Sequence, residues 1–286
     1  MDAVYNWHIT EKCNYRCYFC YGKWGSPKEI HKDPDALKSI ITEIKKHGRL
    51  PFGNSENGGV RVNIAGGEPL LLGDKLLNVI DELRLAGLKV SIITNGYLLK
   101  KQIQVVDRLD MLGLSIDSSI NENNLLIGRS TKKGRMLSFE DMKILIELAR
   151  RRNPSLKIKL NVVVNHFNYH EPVINKLQTL SPDKIKVFRE LSAGQHQAQL
   201  TDRMYEYFLR TNASGLSQPN VIIEDNDAMT QSYLMIDPRG RFFQNGSLAG
   251  YLYSRPIQDV GLATALKDIT FDENKFLNRY VSHETR

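Results

Sequence analysis

Cysteine is scarce in this chain of 286 residues: there are three, and all fall between positions 13 and 20. An odd number packed so closely excludes a disulfide framework. It also leaves no thiol for a second metal centre. Apolar runs are short, and none reaches the roughly 18 residues that a membrane span needs. The opening residues, MDAVYNWHIT, lack the basic start and apolar stretch of a secretory signal. No internal repeat, low-complexity tract or long linker breaks the chain. These absences lead us to expect a soluble, cytoplasmic, single-domain protein.

What is present is ordinary globular composition, with 41% hydrophobic and 25% charged residues, enough for a sizeable core. The formal charge of +7 is a mild excess. It is compatible with an anionic small molecule or with nucleic acid, and selects neither.

Strands and helices alternate along the first two thirds. Residues 3–10 read as a strand. Asp33-Pro34 opens a helix with the apolar stripe Leu37, Ile40, Ile41 and Ile44, ended by Gly48. Further strands are expected at 60–65, 88–94, 111–117, 156–164 and 183–189. Leu76, Val79, Ile80 and Leu83 mark a helix closed by Gly87. Ser138 with Asp141 resembles a capping box opening a helix to Arg152, and another helix separates the last two strands. This pattern predicts an α/β fold, a partial (βα)6 barrel with a parallel sheet. Residues 1–195 would form the core. Residues 196–286 would be an extension that completes and caps the same domain. In it we expect a helix near 201–211, a hairpin of Tyr233–Asp237 and Arg241–Gln244 about a Pro-Arg-Gly turn, and a short terminal helix.

The cysteines read Cys13-Asn-Tyr-Arg-Cys17-Tyr-Phe-Cys20, just after the first strand. Three thiolates on a [4Fe–4S] cubane leave one iron with an open position. S-adenosylmethionine (SAM) can chelate that iron, and an electron then breaks a C–S bond to release a 5′-deoxyadenosyl radical. Phe19 suits a contact with the adenine or the cluster. The alternative is a zinc site, which needs a fourth ligand such as His8 or His31. A second signature, Gly66-Gly67-Glu68-Pro69, ends the second strand. Its glycines permit close backbone approach, and its Glu can pair with the SAM ammonium. Alone it would mark only a turn.

Together the two signatures resemble the radical SAM superfamily. Within it, Asn6-x-His8-x-Thr10, Asn124-Leu-Leu-Ile-Gly-Arg129, Asn165-x-Phe-Asn168, Lys186-Val-Phe188 and Ser232-Tyr233-Leu234 resemble viperin, over about residues 4–280. The resemblance implies an antiviral enzyme acting on a ribonucleoside triphosphate. The C4′ hydrogen is abstracted, the 3′-hydroxyl leaves as water, and one electron completes the 3′-deoxy-3′,4′-didehydro nucleotide, an RNA chain terminator. It implies SAM contacts for Ser115 and Arg129, and a role near C3′ or in proton transfer for Tyr233; Asn95, in the Thr94-Asn95-Gly96 turn at a strand's C-terminal end, is expected at SAM from that position. Animal viperins carry an amphipathic membrane-docking helix before the first strand and a C-terminal tryptophan. Here the first strand begins near Met1 and the chain ends Ser282-His-Glu-Thr-Arg286, so neither feature is expected. Arg61 and Lys184 stand where the family leads us to expect Lys and Arg, which keeps charge but changes donor geometry.

Strand alternation carries an independent argument. Lys159 and Asn161 share one face of their strand, Lys184 and Lys186 one face of theirs, Arg61 and Asn63 one face of theirs, and Asn6, His8 and Thr10 one face of the first. With helices over the apolar faces, these polar faces point into the barrel. Cations there are costly unless an anion or water fills the space, and a triphosphate would neutralise them. Asn6, Arg61, Asn63, Lys159, Lys184 and Lys186 are therefore expected to bind substrate. Lys157, at a strand start, is expected in solvent. His166, His170 and His196 are expected to have no catalytic part. Competing readings are a radical SAM enzyme for another phosphorylated substrate, and a zinc-dependent nucleic-acid binder. The latter lacks the interleaved basic and aromatic face of RNA readers. A monomer served by an electron donor, with no direct nucleic-acid contact, completes the expectation. CTP, UTP and GTP stay open as substrates.

Overall fold

The structure is a computed structural model that describes residues 2–22, 28–52, 58–191, 199–245 and 251–281. In chain order the first half contains β1 (Ala3–Thr10), α1 (Pro34–His47), β2 (Val60–Gly66), α2 (Asp74–Leu85), β3 (Lys89–Thr94), β4 (Met111–Ser115), α3 (Asn121–Ile127) and α4 (Phe139–Arg152). Then come β5 (Lys157–Val164), α5 (Val173–Gln178), β6 (Lys184–Arg189), α6 (Asp202–Thr211), α7 (Ala213–Leu216), β7 (Val221–Glu224) and α8 (Asn226–Met229). The chain finishes with β8 (Leu234–Ile236), β9 (Arg241–Asn245), β10 (Tyr251–Pro256), α9 (Ile257–Val260), α10 (Leu262–Leu266) and α11 (Glu273–Val281).

Local signals act as read. Asp33 caps α1 by accepting from the Asp35 and Ala36 amides, and Ile40, Ile41 and Ile44 are its buried stripe. The Ser138–Asp141 capping box forms in full at the start of α4; such a cap contributes about 1 kcal/mol. On β5, Ile158, Leu160 and Val162 are fully buried on the helix-covered face, each worth roughly 1.5–3 kcal/mol. Lys157 is exposed and pairs with Asp183 at 3.0 Å.

All strands join one sheet in the order β10-β9-β8-β1-β2-β3-β4-β5-β6-β7. From β8 to β7 every pairing is parallel. The hairpin forms where expected, with β8 and β9 antiparallel through Met235↔Phe243. The extension enters the sheet itself, adding β7 to one edge and β8–β10 to the other. Eight flat strands would hold β7 and β8 about 34 Å apart. Yet Glu224 of β7 and Tyr233, nine positions on and just before β8, are hydrogen-bonded. The sheet is therefore curled until its parallel edges meet, as a partial barrel whose seam is bridged by side chains. The expected boundary at 195/196 lies outside the described residues.

Candidate active site

The cysteine loop leaves the C-terminal end of β1 and is clamped from two sides. The Gly67 and Glu68 amides donate to the carbonyls of Thr10 and Lys12, each at 2.7 Å. On the other side, the Arg16 and Tyr18 amides donate to Gly128 and Ile127, at the end of α3, each at 3.0 Å. Both clamps need glycine. A Cβ at Gly67 would stand 2.1 Å from the Lys12 carbonyl oxygen. One at Gly128, which also has φ +83°, would stand 2.3 Å from that of Arg16.

Glu68 is fully buried. Its carboxylate accepts from the Leu70 amide at 3.0 Å, the Thr94 hydroxyl at 2.7 Å and the Asn95 amide at 2.8 Å. Burial pushes its pKa upward against the pull of these bonds. Three of roughly four acceptor positions are thus taken by the protein, and Glu68 knits the ends of β2 and β3 together. The Asn95 amide group donates to the Asn14 side chain at 2.8 Å, which ties β3 to the cysteine loop.

The thiols of Cys13 and Cys20 are on exposed residues and that of Cys17 is half-buried. The Tyr15 amide donates to the Cys13 sulfur at 3.4 Å and Arg129 to the Cys17 sulfur at 3.5 Å. Burial pushes the Cys13 thiol up to about 11 and the Cys17 thiol upward too. Bound iron must therefore displace their protons. The histidines weighed as zinc ligands are engaged elsewhere. His8 packs edge-on against Tyr21 and Phe243, 5.7 and 5.2 Å between ring centres, and burial holds its pKa down at about 3. His31 Nδ1 lies 3.1 Å from the Ile9 carbonyl oxygen. Among the described residues no group of three or more Cys, His, Asp or Glu side chains, the three cysteines included, is drawn together tightly enough to hold a metal ion. Three thiols, with N–H donors at two of their sulfurs, suit a cubane cluster that keeps one iron open.

Around Arg129 lies a small pocket, partly open to solvent, lined by Tyr15, Asn95, Ser115, Ile116, Asn124, Arg129, Leu137 and Met142. It brings together Asn95, Ser115 and Arg129, the trio expected at SAM. Arg129 is buried, with its Nε 2.9 Å from the Asp117 carboxylate. Burial opposes its charge, and Asp117 and Cys17 together outweigh that and keep it protonated. Burial likewise pushes Asp117 up, with Arg129 opposing. Phe19 is not in the pocket lining; its ring meets Tyr18 at 5.4 Å.

The barrel interior carries the expected polar faces. The Asn63 amide donates to Asn6 at 2.7 Å and the Ser91 hydroxyl to Asn63 at 2.9 Å. Ser115, Asn161 and Lys186 stand in one row across β4, β5 and β6, and Gly113, Lys159 and Lys184 in the row before it. Two strand spacings place Lys186 about 10 Å from the Ser115 end of the pocket. Lys159 has its pKa pushed well below the lysine value by burial and by Lys186, Arg61 and Lys184, with Glu224 opposing. Lys186 is buried and pairs with Glu224. This partner revises the picture of Lys186 as a cation awaiting phosphate alone. Tyr233 donates to Glu224 and accepts from Lys186. The aromatic expected in the hairpin thus faces the cations.

Asp117, Asn124, Tyr15 and Glu224 belong to this arrangement and were not singled out as site residues. Asn124 and Arg129 lie in one quoted motif, with Arg129 donating its amide to the Asn124 carbonyl at 2.8 Å. Asp117 lies two residues beyond Ser115, past a strand's C-terminal end where sites cluster. His166 and His170 meet the rings of Phe167 and Tyr169 edge-on. His196 and the Ser282–Arg286 tail lie outside the described residues.

Residues 7–177 match the radical SAM superfamily. The S-adenosylmethionine-dependent nucleotide dehydratase of Fibrobacter sp. (strain UWH6) is 37% identical over 99% of this chain and 89% of its own length. The S-adenosylmethionine-dependent nucleotide dehydratase RSAD2 of Danio rerio is 32% identical over 96% of this chain and 76% of its own. Among solved structures, native anSMEcpe with bound AdoMet superposes with a TM-score of 0.66 at 16% identity, covering 96% of this chain and 82% of that one. At that identity the likeness is one of fold. With the cysteine loop, its glycine clamp and the parallel barrel, these matches make the chain a member of the radical SAM superfamily and, within it, of the viperin family of SAM-dependent nucleotide dehydratases, whose cofactors are a [4Fe–4S] cluster and SAM.

Proposed function

We propose that the protein converts a ribonucleoside triphosphate, among CTP, UTP and GTP, to its 3′-deoxy-3′,4′-didehydro analogue, a chain terminator with an antiviral role. The observation that carries this is the set of inward-facing basic side chains, Arg61 on β2, Lys159 on β5 and Lys184 and Lys186 on β6, one to two strands from the Arg129 pocket. Cations at such density want a polyanion.

Cys13, Cys17 and Cys20 hold the cluster. Asn95, Ser115 and Arg129 line the place for SAM, Phe19 flanks it, and Gly66, Gly67 and Glu68 fix the loop that presents it. When bound, cluster and SAM supply the 5′-deoxyadenosyl radical that takes the C4′ hydrogen. Arg61, Lys159, Lys184 and Lys186 grip the triphosphate, and Asn6 and Asn63 hydrogen-bond the nucleotide from the facing wall. Tyr233 serves the C3′ side, where the hydroxyl must gain a proton to leave as water. One electron from a separate donor then closes the balance. Core and extension act as one domain, the protein works as a cytoplasmic monomer, and it makes no direct contact with nucleic acid. Among the described residues no helix is long and apolar enough to cross a membrane.

The test is anaerobic turnover of reconstituted protein with SAM, dithionite and each of the four ribonucleoside triphosphates, read by mass spectrometry. One nucleotide should give 5′-deoxyadenosine together with a product lighter by one water. If 5′-deoxyadenosine forms equally with all four and none is consumed, the substrate assignment fails. In that case the radical SAM enzyme acts on another phosphorylated compound.

A further inference from the structure

Glu224 is a wholly buried carboxylate at the end of β7, set among the interior cations. In register it lies opposite Phe188, two positions beyond Lys186 on β6. Its side chain therefore shares the inward face with Lys186. It accepts from the Lys186 ammonium and from the Tyr233 hydroxyl, and Lys186 donates to the Tyr233 oxygen at 3.1 Å. The Lys186 nitrogen also sits 5.3 Å from the centre of the Tyr233 ring. Three side chains from β6, β7 and the approach to β8 thus close a triangle over the seam of the barrel.

The chemistry of that triangle is constrained. The charges that act on neighbouring Lys159 are Lys186, Arg61 and Lys184 on one side, and Glu224 on the other. A buried ammonium in such company sheds its proton or turns away unless a counter-charge holds it. Buried ion pairs add little net stability over apolar replacements. A hydroxyl that donates to a carboxylate and accepts from an ammonium has its proton direction fixed, with one lone pair left over.

We infer that Glu224 is a positioning residue for the dehydratase reaction: it holds the Lys186 charge and the Tyr233 hydroxyl in one fixed arrangement to which the nucleotide binds. This rests on the nucleotide reading above. The competing role is a structural clasp that only joins the edges of the sheet.

The test compares Glu224→Gln, Glu224→Asp, Tyr233→Phe and the Glu224→Gln/Tyr233→Phe double variant with wild type. It is run with the nucleotide that wild type consumes. Readouts are iron content, thermal midpoint, calorimetric binding of that triphosphate without reductant, KM and kcat, and nucleotide product per 5′-deoxyadenosine. Glu224→Gln should keep its iron, while Kd and KM rise about tenfold, the loss of one charge-assisted contact. Its product per 5′-deoxyadenosine should fall several-fold. Glu224→Asp should recover part of each, and in the Tyr233→Phe background the effect on the product ratio should vanish. Wild-type Kd, KM and ratio in Glu224→Gln, or losses that follow the thermal midpoint alone, would overturn the inference and leave the clasp. A wild type that consumes no triphosphate overturns the proposed function itself, and this inference with it, which is a distinct result.

Discussion

The amide of Gly67 donates to the carbonyl of Thr10 at 2.7 Å, so the Gly-Gly-Glu-Pro turn is fastened to the point where the cysteine loop departs from β1. A Cβ at position 67 would meet the Lys12 carbonyl oxygen at 2.1 Å and that of Glu11 at 2.6 Å. Both are backbone atoms, so no rotamer change relieves the clash. Gly67→Ala is predicted to destabilise the protein by about 1–3 kcal/mol and to lower iron incorporation. Iron and sulfide analysis beside thermal unfolding checks this. Full iron content with an unmoved midpoint would count against it.

Cys17, proposed above as a cluster ligand, also accepts a hydrogen bond from Arg129. Cys17→Ala leaves two thiols, too few to hold a cluster with a single open iron. The expected outcome is protein without iron or sulfide that releases no 5′-deoxyadenosine under reduction, with any nucleotide present. Colour, metal content and the SAM cleavage assay decide it.

Arg129 is the partner of a buried carboxylate, so its removal should cost more than the loss of one cation at a surface would. Arg129→Met leaves Asp117 charged and unpaired, a cost of roughly 3–5 kcal/mol. Adding Asp117→Asn should recover much of that, because no charge then remains to be buried. The sign with pH follows from the same carboxylate. Burial already pushes Asp117 up, and in Arg129→Met its folded pKa rises further above the unfolded value. The deficit is therefore full only above that raised pKa and shrinks as pH falls through it towards the unfolded value. Denaturation of the single and double variants at two pH values measures both effects.

The six central strands were legible because their alternating apolar faces are all buried under helices; Ile158, Leu160 and Val162 are fully buried. The cysteine and glycine signatures were legible as a pair, and the chain does fasten one to the other. β7 and β10 were not. Val-Ile-Ile-Glu is four residues long, and Tyr251–Pro256 follows residues with no marked periodicity. Glu224 escaped for a related reason. Alone, an acid closing a short apolar run reads as a solvated strand end, and only the register with Phe188 turns it inward. Likewise the sequence offers Lys186 as one of several inward cations, and only the fold reveals that a carboxylate reaches it from the next strand.

Lys159 gives the last prediction, because its environment fixes the direction of a proton. Burial first, then Lys186, Arg61 and Lys184, hold its pKa well below that of an ordinary lysine. Among the described residues it has no hydrogen-bond or ion-pair partner of its own. A triphosphate laid against it brings negative charge, which favours the ammonium and raises the pKa. Between the free and bound values, binding must take up a proton, so affinity falls as pH rises through that window. At about pH 8 the nucleotide's own phosphates are ionised, and uptake there belongs to the protein. Calorimetry in two buffers of different ionisation enthalpy should give binding heats that differ in the sense of proton uptake. In Lys159→Met that difference should shrink, while affinity itself drops about tenfold for the lost cation. Equal heats in both buffers for the wild-type protein would mean that Lys159 keeps one charge state through binding, and the predicted proton uptake would be wrong.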